Sequence, residues 1–326
     1  KTSPVAGING TLSVDTLNTN GILLDKISAN LISDTDKISY DISIANGQDN
    51  PQYSFAALLK GEVINDGTTC TLTIDDKNGM RGIDIGISAV VEAEHIGLKF
   101  HDRPQILGYK EFMPNKNNAI RIGKGMRLSS DVMLVADDGV GFRLYTNDAN
   151  VDALQDLTLS VYKLDLASIF SILPYTPNVQ GVLNGDFHAI VDKESTSISS
   201  NIDVSNLSYE NSPIGNISTE IVYMPHSDGS HYVDGIIYKE DKEIATLSGT
   251  YVFGEEDYID AKLMLKDMPV DVINGFVPDK ILGMRGYGNG ELNVVGNVSK
   301  PKINGILNLE EASFISLPYG IELKID

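Results

Sequence analysis

VQGVLNGDFHAIV, Val179–Val191, returns 105 residues later as MRGYGNGELNVVG, residues 284–296. That offset sets Gly181 on Gly286, Gly185 on Gly290, Phe187 on Leu292 and Ala189 on Val294. It continues through Val204 and Leu309, Tyr209 and Phe314, Pro213 and Pro318, and Gly215 and Gly320. Just upstream, LDLASIFSILP (164–174) precedes the first copy as MPVDVINGFVP (268–278) precedes the second, at an offset of 104. One unit is therefore a short helix, a glycine-bounded strand, a second strand and an aromatic-Pro-Gly element. Successive addition of such units builds one growing sheet or a β-solenoid.

The runs around this repeat alternate with the period of half-buried strands. In IDAKLMLK (259–266), Ile259, Ala261, Leu263 and Leu265 share one face, while Asp260, Lys262 and Lys266 share the other. Leu247, Gly249, Tyr251 and Phe253 make a similar apolar face, as do Phe187, Ala189 and Val191. GTLSVDTL (10–17) and KISYDISIA (37–45) alternate in the same way. In the segment 70–93, Lys77-Asn78-Gly79 is the strongest hairpin signal, because Asn-Gly accepts positive φ at little cost. Asp137-Asp138-Gly139 marks a turn among further short strands over 119–146. Two segments break the rhythm. Leu166, Ile169, Phe170 and Leu173 lie at near-helical spacing before Pro174, and Val270, Ile273 and Val277 before Pro278. Such short helices must dock on something apolar.

The expected fold is all-β: an elongated, repetitive, curled sheet, groove-like or solenoid-like, with short amphipathic helices. Its expected divisions are an N-terminal β-rich region over 1–160, a repeat unit with its helix over 161–265, and a second, truncated unit over 266–326. A continuous apolar face requires a cover, either a second layer or a nonpolar ligand. Closed, it is a core; open, it is a hydrophobic trough.

Composition narrows the function. The 326 residues carry 25 Lys and Arg against 45 Asp and Glu, a net charge of −20, which argues against a non-specific nucleic-acid surface. Cys70 is the only cysteine, so an intrachain disulfide and a Cys-rich metal site are excluded. No signal-like or membrane-spanning run is present, and IELKID still alternates at Asp326, which points to a piece of a longer protein.

Catalytic signatures are sparse. His226 and His231, in MPHSDGSHYV, read as the flanks of a loop rather than a metal site. His101 and Asp102 with Asp138 or Ser130 lack any nucleophile elbow. The acidic pairs at 75–76, 137–138, 255–256 and 310–311 lack calcium-loop spacing and read as solvated turns. RIGKGMRL (121–128) lacks the spacing and the Ser/Thr of a phosphate-binding loop. The expectation is a non-enzymatic protein without cofactor. Two readings stand: a β scaffold that engages proteins through loops or edges, and a lipid-handling groove.

The C-terminal half resembles the translocation and assembly module TamB family, within the AsmA-like and bridge-like lipid-transfer group. The matching phrase is a hydrophobic pseudo-helix, then a strand with Gly286, Gly288, Gly290, Leu292, Val294 and Gly296. It runs on through Pro301, Gly305, Leu307 and Leu309 into Phe314, Pro318 and Gly320. The upstream copy keeps Gly181, Gly185 and Phe187 but lacks a glycine matching Gly305. ILGYKEFMPNKNNAIRI (106–122) is similar to a phrase of Bacteroidetes-type members, with Phe112 at a tryptophan-like position.

The resemblance implies a periplasmic segment of an envelope-spanning protein, anchored in the inner membrane by a segment outside this chain. It implies an Omp85-type outer-membrane barrel as partner, and phospholipid acyl chains carried between the membranes along the groove. The alternative is a scaffold for outer-membrane protein assembly. The groove lining it implies is Phe187, Ala189, Leu247, Tyr251, Phe253, Leu263, Leu292, Val294, Leu307 and Leu309. In a closed trough the same residues are core.

Overall fold

The structure is a computed structural model describing residues 7–147, 153–172, 176–193, 195–210, 212–254, 257–276, 282–316 and 318–324. The chain is all-β, a repetitive succession of antiparallel strands with few and short helices. It divides into two compact units, one of Lys1–Thr146 with Ser168–Thr176, the other of Asn147–Ala167 with Pro177–Asp326.

The first unit opens with a six-strand meander. It comprises β1 (Asn9–Thr19), β2 (Ile22–Ser33), β3 (Lys37–Asn46), β4 (Phe55–Ile64), β5 (Gly67–Asp75) and β6 (Arg81–Val91). The expected Asn-Gly hairpin lies between β5 and β6. Only Gly79 there takes a positive φ, and Asp76 closes the loop by bonding the Met80 carbonyl through its backbone N–H and the Asn78 and Met80 N–H groups through its carboxylate. Shorter strands follow: β7 (Ile96–Phe100), β8 (Gln105–Leu107), β9 (Lys110–Pro114), β10 (Ile120–Ile122), β11 (Leu128–Val135) and β12 (Gly141–Thr146).

β6 pairs with both β7 and β8, and β11 with both β10 and β9, while β7 meets β10 and β8 meets β9. The ladder therefore splits in the middle. Two buried amides, Gln105 and Asn118, each 1% exposed, patch the gap. Gln105 Oε1 accepts the Gly86 N–H at 2.7 Å, and Asn118 Oδ1 accepts the Phe100 N–H at 2.7 Å. Beside them Phe112, Ala136 and Val140 form the unit's hydrophobic cluster. Gln105→Leu removes the acceptor and strands a buried N–H. It is expected to cost about 2–4 kcal/mol, read as a lowered urea midpoint.

The second unit begins with β13 (Gln155–Asp165), β14 (Val179–Val191), β15 (Thr196–Tyr209), β16 (Ser212–Pro225) and β17 (Ser230–Lys239). It continues with β18 (Lys242–Val252), β19 (Tyr258–Pro269), β20 (Leu282–Asn297), β21 (Lys302–Ser316) and β22 (Ile321–Lys324). From β13 to β22, each strand pairs antiparallel with the next.

The sequence repeat is a repeat of backbone irregularities. Gly181 and Gly286 both carry positive φ, 141° and 108°, at matching register shifts of β14 on β15 and β20 on β21. A second shift recurs where Lys163 (φ 51°) and Asp267 (φ 44°) bulge from β13 and β19. Each is held by the same device. Lys163 N donates to Asn184 Oδ1 at 2.9 Å, and Asp267 N donates to Asn289 Oδ1 at 2.7 Å. A third pair, Asn206 and Glu311, takes φ of 53° and 51°. Bulges of this kind bend and twist the strands that carry them.

Both expected helices exist in shortened form. α1 (Leu166–Phe170) follows β13, with Asp165 Oδ1 accepting the Ala167 N–H at 3.1 Å. The second is a 3-10 helix over Val270–Phe276, where Asn274 and Gly275 weaken α-helical preference. Both find the apolar docking they need. In the turn just past α1 the fully buried Ile172 lies against Gly82 in the first unit, and Val270 of the 3-10 helix is 3% exposed in the second. Leu173, Pro174, Val277, Pro278, the Glu255–Glu256 pair and Asp326 lie outside the described residues, as does the side chain of Ile273. The pair Glu310–Glu311 is exposed but lies within β21, at its bulge, not in a turn: the left-handed Glu311 kinks the strand without ending it.

Candidate functional site: an apolar sheet face

Residues directly opposite in an antiparallel ladder point to the same face. In the second unit one such row runs Leu159, Phe187, Ser200, Ile221, Gly235, Leu247, Leu263, Leu292 and Gly305 across nine strands. The next runs Leu157, Ala189, Ile198, Tyr223, Val233, Gly249, Ala261, Val294 and Ile303. On the other side Leu307 pairs with Gly290, and Leu309 with Gly288. Tyr251 follows two residues after Gly249 and pairs with His231. Phe253 lies just past the end of β18.

All ten residues singled out in the sequence thus belong to one unit. The nine that lie in strands project from one face of its sheet. None of the ten is fully buried; Phe253 and Leu307 are 60% and 40% exposed. The reverse face carries Asp186, Glu220, Asp234, Lys262 and Glu291, with Lys262 and Glu291 paired at 2.7 Å. Between the bulges the strands keep their alternation in register, which makes this stretch of sheet amphipathic, although Ile236, Met264 and Ile306 also lie on the reverse face.

The two ends of the apolar face differ. At one end the 3-10 helix packs against β20, β16 and β15. Asn274 fixes it to β20, accepting the Met284 N–H at 2.7 Å and donating to the Met284 carbonyl at 3.0 Å. Lys239 Nζ meets Asp271 at 3.0 Å beside it. Here the face closes: Val270 and Ala245 are each 3% exposed.

The other end is aromatic. His231 stacks on Tyr223 with centroids 5.6 Å apart and meets Phe253 edge-on at 4.6 Å, while Tyr251 and Phe253 lie 4.3 Å apart. Partial desolvation, then a hydrogen bond with the Asp257 carboxylate, holds the Tyr251 phenol above its ordinary pKa. Six residues along the strands separate the rows of Ala245 and Tyr251, about 20 Å of run. The sequence reading set His231 aside as a loop flank. The signal it missed was parity, since His231 begins an alternating strand in phase with the apolar row.

The first unit has a face of the same kind, outside the lining expected from the sequence. Leu12, Ala29, Ile42, Leu59, Leu72 and Ile85 oppose one another across β1 to β6. Beside them run Leu31, Tyr40, Gly61, Cys70, Ile87 and Phe100. Cys70 is thus one position in an apolar row.

Among the described residues no three His, Cys, Asp or Glu side chains converge as a metal-ligand set, and no helix is long and apolar enough to cross a membrane. No family model matches the chain, no curated protein matches it, and no solved structure matches it. What the fold and the site define is a class: a repetitive antiparallel β protein whose sheets each present one partly exposed apolar face.

Proposed function

We propose that this chain is a periplasmic segment of an envelope protein that carries phospholipid between the inner and outer membranes, its acyl chains lying on the apolar sheet faces. The observation that carries this reading is the row from Phe187 through Leu247 and Leu263 to Leu292, whose large apolar side chains are only half-buried and which Ser200 alone interrupts with a polar group. An acyl chain covering it gains about 0.8 kcal/mol per buried methylene. Successive positions of similar chemistry keep that energy nearly level, so lipid can move without a catalytic group.

Photocrosslinking tests the reading directly. A photoreactive residue at Leu263 is expected to yield acyl-chain adducts in detergent-free membranes. One at Met264, its neighbour on the reverse face, is expected to yield none. Equal labelling at both positions, or none at Leu263, would refute the conduit.

A second reading, the scaffold for outer-membrane protein assembly through an Omp85-type barrel, draws on the edge of β21. Among the described residues β22 pairs only with Ser313 to Ser316, and residues 302–312 of β21 pair with β20 alone. Strand addition at such an edge supplies main-chain affinity. In that case damage concentrates at β21, and Leu263 stays unlabelled.

A further inference from the structure

The segment 112–130 carries Lys116, Arg121, Lys124 and Arg127 and no carboxylate, in a chain where acids outnumber bases by 45 to 25. The fold gathers three of these cations. Arg121 sits in β10, opposite Ser129 of β11, and Gly123 N donates to Arg127 O at 2.8 Å to close the intervening loop tightly. That closure requires left-handed backbone at Gly125 and Met126. β10 also pairs with β7 through Ile122 and Ile96, which brings the β6–β7 loop alongside. Arg121, Lys124, Arg127, Ser129, Gly123, His95 and Glu94 together line an open cavity of about 320 Å³.

None of the three cations has an ion-pair partner among the described residues, although acids are plentiful elsewhere. Like charges held together by a hairpin repel one another unless something anionic sits between them. In the wall, His95 Nε2 is buried and lies 3.1 Å from Glu92 Oε2 without the alignment of a hydrogen bond. Two carboxylates, Glu94 in the lining and Glu92 against His95, stand near three cations, so the cavity stays net positive.

We infer that this cavity of the first unit binds a phosphate-type oxyanion, gripped by the Arg121 and Arg127 guanidinium forks with Lys124 and Ser129 completing the cradle. Guanidinium planes match tetrahedral oxyanions bidentately, which a lysine-only patch cannot do. The volume leaves room for an ester substituent on the phosphate. The shared chemistry is a phosphate group; its source is either a lipid headgroup or a soluble phosphate. The site is independent of the apolar faces and stands whether or not they carry lipid.

The test titrates the full chain calorimetrically with inorganic phosphate and with glycerol phosphate. In parallel the chain is co-sedimented with phosphatidylcholine vesicles, with and without phosphatidylglycerol. Saturable phosphate binding is expected, weakened about tenfold or more in R121Q/R127Q and strengthened in E94Q. Sedimentation with phosphatidylglycerol vesicles that R121Q/R127Q abolishes assigns the oxyanion to a headgroup. Phosphate binding without sedimentation assigns it to a soluble phosphate. Absence of phosphate binding by the wild type, or undiminished binding by a folded R121Q/R127Q, overturns the site. Should that double variant misfold, E94Q decides, and an affinity unchanged there overturns it as well.

Discussion

Leu292→Glu is expected to strip copurifying lipid from the chain by more than about tenfold while leaving the sheet folded. Leu292 lies in the middle of the apolar row, with Leu263 on one side and Gly305 on the other. Because it is only half-buried, losing its contacts costs the empty protein on the order of 1 kcal/mol. A carboxylate in the path of an alkyl chain costs several kcal/mol, since the charge must either desolvate or hold the chain away. The effect therefore falls on the loaded state. Lipid is quantified by mass spectrometry after isolation without detergent, with far-UV circular dichroism as the check on folding. Met264→Gln, on the reverse face of β19, is the matched control and is expected to change nothing. A folded L292E chain with its full lipid load would sink the conduit.

Gly290→Ala is expected to be among the most disruptive single-methyl changes. A Cβ at this position would lie 2.0 Å from the Ile306 carbonyl oxygen and 3.0 Å from Leu307 Cα, both backbone atoms of β21. Backbone cannot rotate away as a side chain can, so β20 and β21 must separate. The cost is on the order of 3 kcal/mol or more. Among the described residues, β22 covers only the last four residues of β21. Hydrogen exchange should therefore show protection lost from β21 and β22 while β14 to β18 keep theirs. Gly185→Ala, the repeat counterpart, approaches the Asn201 oxygen at 2.9 Å and should cost less. Gly254→Ala meets nothing within 4 Å and should be silent. Equal effects at Gly290 and Gly254 would mean that the close approach carries no energy.

Much of this was legible in the sequence. The alternation of Leu247, Tyr251 and Leu263 predicts both strand and face, because a period of two leaves no other arrangement. The 105-residue offset predicts the unit, because glycines recur where backbones crowd or turn left-handed. The bulge at Lys163 was not legible: left-handed backbone is expected of glycine, asparagine or aspartate, and there an amide on the neighbouring strand stabilises lysine in it instead. Nor was the place where Ile172 is buried. Ser168–Thr176 reads as the opening of a repeat unit, yet Ile172 finds its burial against Gly82, ninety positions upstream. From sequence, RIGKGMRL reads only as lacking the spacing of a nucleotide loop. Its basic residues gained meaning once pairing of β7 with β10 laid His95 beside them.

The asparagine-held bulges bear on how such a sheet assembles. A strand that slips by two residues keeps every apolar side chain on the correct face, so hydrophobic pattern alone cannot reject the error. Slippage moves Asn184 or Asn289 one rung away from the left-handed residue it caps, and both then lose their partner. The carboxamides act as punctuation, stopping a misaligned pairing within the unit where it begins. A long sheet so marked can anneal in sections, each correcting itself without melting its neighbours.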